Sequence, residues 1–331
     1  MDDDRRGCSR RAFLAMAGGA ATVLLRTERA RAAQADFPSR NINFIIPKSP
    51  GGGFDNLVRI VIPAMERSLP HKINVVPENI AAGGGGKGVS ELYRAKPDGY
   101  TIGAVDIPGT FVLQQLQGSA AFDLSKLTWV CLLGQPESFA IAVGANSALK
   151  SMADLVALSR KRPAKFTSSG PEGTAYVATV IGTKTLGINA TMITGYKGSS
   201  DFIVGAIRGD GDAVLAPVTS LRPMIQSHTM RILATFERQS SFPGVPDAAA
   251  LGHPELSQIV LLRLVAAPPN LPAPVKAILS SALNKAMTDP QSVSLAKNLD
   301  VALSPNTPEQ AAAMVRDGAA LFNKWKPYLV P

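Results

Sequence analysis

The sequence predicts an α/β protein made of two successive blocks. Three observations lead there. Short apolar strands alternate with stretches of helical periodicity from about residue 42 to residue 235. Glycine-rich turns join strand to helix in each block. The 331 residues, less a removable leader of 32 or 35, leave 296 to 299, enough for two domains of ordinary size.

The leader comes first. Ser9-Arg10-Arg11-Ala12-Phe13-Leu14 reads as a twin-arginine export signal, and an apolar run from Ala12 to Leu25 follows. Ala30-Arg31-Ala32 and Ala33-Gln34-Ala35 offer two small-x-small cleavage sites. Residues 1–35 are therefore expected to be a signal peptide, and the mature chain to work in the periplasm. No later apolar run approaches the ~20 residues of a membrane span. Cys8 precedes the arginine pair, so the mature chain keeps only Cys131, in the apolar run Trp129-Val-Cys-Leu-Leu133, and is expected to bury it.

In the first block, Asn43-Phe-Ile-Ile46 reads as a strand running into Pro47-Lys-Ser-Pro-Gly-Gly-Gly-Phe-Asp55. A helix follows, with Leu57, Ile60, Val61, Ala64 and Met65 on one face. Ile73–Val76 is a second strand, Ala82–Gly86 a glycine loop, and Gly88–Ala95 a short helix. Pro97-Asp98-Gly99 turns into a third strand from Tyr100. In the second block, Phe139–Val143 is a strand. Ser151 then starts a helix, with Asp154 three residues on in a near capping box. Lys165–Thr167 leads into Ser168-Ser-Gly-Pro-Glu-Gly-Thr174 and a helix over 175–186. Met192–Thr194, a helix over 200–207, Ala213–Leu215 and Ile232–Ala234 continue the alternation. Helices over 275–287 and 308–325 close the chain. Such alternation predicts parallel sheets.

Charge and motifs narrow the function. The net charge is +9, of which the first 35 residues supply +3 (seven arginines against Asp2, Asp3, Asp4 and Glu28), leaving about +6. The only basic cluster is Arg160-Lys161-Arg162, so neither a basic stripe nor an aromatic platform marks a nucleic-acid binder. A mild positive field suits a small anion. There is no G-x-x-x-x-G-K-[S/T], no G-x-G-x-x-G after the first strand, no G-x-S-x-G and no paired histidine spacing for zinc. No cofactor or metal is expected, and no catalytic residue.

Two loops stand out: Pro50-Gly51-Gly52-Gly53-Phe54-Asp55 and Ser168-Ser169-Gly170-Pro171-Glu172-Gly173-Thr174. Each lies between a strand and a helix, where free backbone N–H groups and the helix dipole favour an anion. Facing each other across a cleft, they would grip a carboxylate; the alternative is a pair of tight turns with nothing bound. Asp55 either caps its helix or orients a ligand. Tyr196 and Lys197 either form a strand-end turn or line the cleft.

Further short motifs occur in a characteristic order: Val76-Pro-Glu-Asn79, Lys96-Pro-Asp-Gly-Tyr-Thr101, Tyr196-Lys197-Gly198, Ile207-Arg-Gly-Asp-Gly-Asp212, Phe242-Pro-Gly-Val-Pro246 and Ala266-Ala-Pro-Pro-Asn-Leu-Pro272. With the Pro50–Asp55 loop and the leader, they make nearly all of the mature chain resemble the periplasmic solute-binding proteins of tripartite tricarboxylate transporters, the TctC or Bug type. The resemblance implies a two-lobed, type II-like "Venus flytrap" with Rossmann-like lobes around a central cleft. Lobe 1 would hold 36–138 and 264–331, and lobe 2 would hold 139–263. It further implies that the same two loops act as a pincer on a ligand carboxylate. Phe54, Ile107, Thr174 and Ala216-Pro217 would be candidates for specificity. The chain departs from the family at Phe54, at Pro171-Glu172 and at Gly195, where the family often has proline. The expected protein is a monomeric, non-enzymatic binder of a small organic carboxylate, serving the membrane subunits of a tripartite transporter. Alternatives are presentation of the solute to a sensor protein, or an exported enzyme on the same scaffold.

Overall fold

The structure is a computed structural model that describes residues 36–117 and 121–329; the expected export signal lies outside the described residues. Among the described residues, ten strands divide into two sheets of like order. The first contains β1 (Ile42–Ile46), β2 (Val75–Asn79), β3 (Thr101–Ile107), β4 (Thr128–Leu132) and β10 (Val260–Ala267), in the order β2-β1-β3-β10-β4. The second contains β5 (Glu137–Gly144), β6 (Ala164–Thr167), β7 (Ala190–Ile193), β8 (Ala213–Pro217) and β9 (Met230–Thr235), in the order β7-β6-β8-β5-β9. β5 and β10 touch each other where they cross between the lobes, pairing Glu137 with Leu261 and Ser138 with Val260.

The sheets are mixed, not parallel as the alternation predicted. β1, β2 and β3 run parallel, as do β6, β7 and β8. Strand–helix–strand crossovers impose that direction. β10 and β5 enter each sheet from the opposite lobe and lie antiparallel to their neighbours.

Among the described residues, ten α-helices cover these sheets. They are α1 (Gly53–Ser68), α2 (Gly86–Arg94), α3 (Gly109–Gln117), α4 (Met152–Lys161), α5 (Thr174–Thr185), α6 (Ser199–Arg208), α7 (Val218–Gln226), α8 (Ala273–Thr288), α9 (Pro290–Asn298) and α10 (Pro308–Leu329). Strand alternation places Ile42, Phe44, Ile46, Ile102, Ala104 and Val265 on one face, packed against Leu57, Val58, Val61 and Met65 of α1 and Leu279 and Leu283 of α8. Ile45, Val105 and Ile107 on the other face join a core that continues into the second lobe. The buried face of α1 is shifted from the expected one: Phe54 and Val58 turn inward and Ile60 is only half-buried. Ser151 caps α4 through the capping box with Asp154, as its spacing indicated. α10 packs on β4 and α3 of the first lobe and on α5 of the second. Among the described residues no helix is long and apolar enough to cross a membrane.

Candidate functional site

In each sheet a loop leaves the carboxyl end of a central strand (β1 or β6), beside the point where the connections change direction. That is where ligands of open α/β sheets bind. After β1 the chain turns through Gly51, at φ +79°, into α1. Gly51 N–H donates to Asp55 Oδ2 at 2.8 Å, and Asn79 Nδ2 donates both to Asp55 Oδ1 (2.8 Å) and to the Lys48 carbonyl (3.0 Å). Asp55 is buried, and burial alone would raise its carboxyl. Hydrogen bonds from Arg59, Gly51 and Asn79 outweigh that and hold it below the usual carboxylate range. Asp55 is thus the third residue of α1, tying the loop down from inside, and not the N-cap, which is Gly52. The N–H groups of Gly53 and Phe54 in the first turn of α1 donate to nothing among the described residues.

The second loop, after β6, is braced by Ser168 N–H to Ile193 O (2.9 Å) and Gly173 N–H to Gly170 O (2.8 Å). It reaches the first lobe. Thr174 Oγ1, at the start of α5, donates to Asp106 Oδ2 at 2.8 Å and accepts from Gly109 N–H at 3.1 Å. A β-carbon on Gly109 would lie 2.6 Å from the Glu172 carbonyl and 2.9 Å from the Thr174 nitrogen, so the lobes meet here with backbone against backbone. The half-buried Glu172 side chain lies against Gly84 of the first lobe and Gly170 of its own loop. The second loop therefore abuts the first lobe at Gly84, Asp106 and Gly109, and each glycine loop opens a helix N-terminus.

Charged residues form the floor. Lys48 Nζ stands 2.9 Å from Asp106 Oδ1. Arg263 of β10, register-paired with Asp106, donates through Nη1 to Glu137 Oε1. Glu137 Oε2 in turn accepts from Thr219 Oγ1 at 2.8 Å. Burial pushes the Asp106 carboxyl up, but the Lys48 ammonium and the hydrogen bonds from Lys48 and Thr174 bring it below its ordinary 3.8. With the folded value depressed, the ionised carboxylate contributes in full above 3.8, and the contribution is lost as pH falls through the lower folded value. The melting-temperature gap between wild type and Asp106→Asn should be widest near about pH 7 and close below about pH 4. A gap constant down to about pH 3 would contradict this assignment.

The remaining candidates separate. Pro50, Gly51, Gly52 and Gly53 form the first loop, and Ser168, Ser169, Gly170 and Thr174 the second. Phe54 does not shape the cleft with its ring, which packs into the α1 core at 7% exposure. Ile107 and Ala216 are likewise core residues, and Pro217 is buried at the end of β8 opposite Phe139. Tyr196 donates to Asp210 Oδ2 at 2.6 Å and packs on Gly205 of α6, while Lys197 is exposed. Lys48, Asp106, Glu137 and Arg263 escaped sequence reasoning. Asp106 and Arg263 did carry a signal, a lone charge inside an apolar run: Gly-Ala-Val-Asp106-Ile and Val-Leu-Leu-Arg263-Leu-Val. Cys131 is buried, and that burial pushes its thiol up and leaves it unreactive.

Comparison with known proteins now adds the lineage. The profile of the tripartite tricarboxylate transporter family receptors (TctC) matches residues 57–329. A protein in the tcbD-tcbE intergenic region of Pseudomonas sp. (strain P51) is 27% identical over 308 residues, 91% of this chain and 90% of that protein. A solved periplasmic transporter superposes with TM-score 0.76 at 26% identity, over 89% of this chain and 99% of that one. MatC from Rhodopseudomonas palustris, solved with bound malate, has TM-score 0.74 at 20% identity, over 88% and 100%. The two-lobed α/β fold of this chain is that of the periplasmic binding proteins. The chain belongs to the tripartite tricarboxylate transporter receptor family.

Proposed function

We propose that this protein is a periplasmic receptor that captures a small organic carboxylate between its lobes and delivers it to the membrane subunits of a tripartite transporter. One observation supports the reading: two glycine loops each open a helix N-terminus, and Thr174 at the end of the second bonds to Asp106, whose ion-pair partner Lys48 leads into the first. Free N–H groups and two helix dipoles favour a bound anion there, and closure removes the water that would screen it. The malate bound to MatC supports the ligand class. The twin-arginine leader supports the compartment. None of the three histidines lies in either glycine loop: His71 sits 3.5 Å from Asp36 and His253 3.1 Å from Glu255, and His228 is exposed.

A thermal-shift screen tests this with aliphatic and aromatic mono-, di- and tricarboxylates. An acid at about 100 times its Kd should stabilise the protein by about 2.7 kcal/mol, a shift of a few degrees. A panel that leaves the melting temperature unmoved throughout would remove the carboxylate from the proposal.

A further inference from the structure

We propose that Arg263 is a ligand-contacting residue whose guanidinium pairs directly with the carboxylate received by the loop after β1. The inference rests on the carboxylate reading above.

Residues directly opposite in an antiparallel pair project from the same face. Arg263 is opposite Asp106. On that face Ile102, Ala104, Val265 and Ala267 are apolar and packed in the core shared with α1 and α8. Further along, the face continues as Asp106 and Arg263, bordering the cleft. The strands therefore change from core to charged floor at the pincer loop.

Arg263 is about nine-tenths buried, with 9% of its side chain exposed. The single hydrogen bond of its guanidinium among the described residues is Nη1 to Glu137. Nε and Nη2 have no partner, yet neither is among the atoms sealed away from all contact with solvent. Nη2 points at the start of α1, where a β-carbon on Gly53 would stand 4.0 Å from it. The free side of the guanidinium thus lies beside the unpaired N–H groups of Gly53 and Phe54. Two adjacent positive elements without an anion repel each other. On the opposing loop, the buried Ser168 hydroxyl has no partner either.

Lys48 offsets Asp106 and Glu137 offsets one side of Arg263. At the second loop the Glu172 carboxylate stands against Gly170, beside the N-terminus of α5. The positive elements left over are the free side of Arg263 and the N-terminus of α1, about half a charge. That combination suits one carboxylate, whose planar oxygens match the Nε/Nη2 fork. The site should therefore favour an ionised acid over its neutral amide.

The test is calorimetric titration of the full chain with malate, adipate, citrate and benzoate, then with the fully amidated analogue of the best binder. Arg263→Gln alone would leave Glu137 buried and unpaired, so the variant used is Arg263→Gln with Glu137→Gln. It should bind the best acid about 30-fold or more weakly and lose the preference for acid over amide. Unchanged affinity or unchanged preference in the folded double variant overturns the assignment and leaves the carboxylate reading standing. If wild type binds none of the four acids, that reading fails and the Arg263 contact falls with it. Should the double variant not fold, Arg263→Lys decides, because it keeps the charge and loses the fork. A loss of about 10-fold supports the contact, and unaltered binding overturns it.

Discussion

Replacing Gly109 by valine should weaken carboxylate binding by about 100-fold or more while leaving both lobe cores intact. Gly109 opens α3 and faces the second pincer loop, with no side chain between them. Its added β-carbon would meet the Glu172 carbonyl and the Thr174 nitrogen, at 2.6 and 2.9 Å. Both are backbone atoms of a loop braced by its own hydrogen bonds, so the loop cannot yield as a flexible side chain would. The lobes must part. Parting breaks the hydrogen bonds from Thr174 to Asp106 and from Gly109 to Thr174, and it wets the cleft. Titration calorimetry of the variant measures the loss, and its ligand-free melting temperature checks that the lobes stay folded. Wild-type affinity in Gly109→Val would mean that binding does not require the closed arrangement.

Glu137→Ala should lower stability by about 3–5 kcal/mol, the cost of stranding a buried charge. Glu137 and Arg263 are both buried, at the point where β5 and β10 cross between lobes. Removing the carboxylate leaves the Arg263 guanidinium without its counter-ion and the Thr219 hydroxyl without its acceptor. Urea unfolding of Glu137→Ala beside wild type gives the difference. Glu137→Gln should fall between them, because it retains an acceptor for Thr219 but not the charge. A change below about 1 kcal/mol for the alanine variant would show that the pair contributes little to the fold.

The sequence patterns identified the elements whose physics is local. The helical spacing of Leu57, Val61 and Met65, the Ser151–Asp154 capping box and the two glycine loops all correspond to observed features. β10 escaped because Val260–Ala267 is apolar on both faces apart from Arg263 and shows no alternation, and it pairs with strands more than 120 residues away. The direction of β5 and β10 was hidden for the same reason, since nothing local records from which lobe a strand enters. The floor of the site was illegible because its ion pairs join distant positions, Lys48 with Asp106 and Glu137 with Arg263. Phe54, Ile107 and Ala216 illustrate the converse: they lie in or beside strand-to-helix turns of the chain, but strand and helix periodicity turns their side chains into the core.

The most direct test of the anion grip is a crystal structure of the protein grown with the acid that gives the largest thermal shift. The ligand carboxylate should lie between Gly51–Phe54 and Ser168–Thr174, within about 3.2 Å of backbone N–H groups from both loops. An acid found elsewhere, for instance in the groove between α1 and α9 lined by Ile60, Pro63, Leu295 and Leu299, would contradict the pincer.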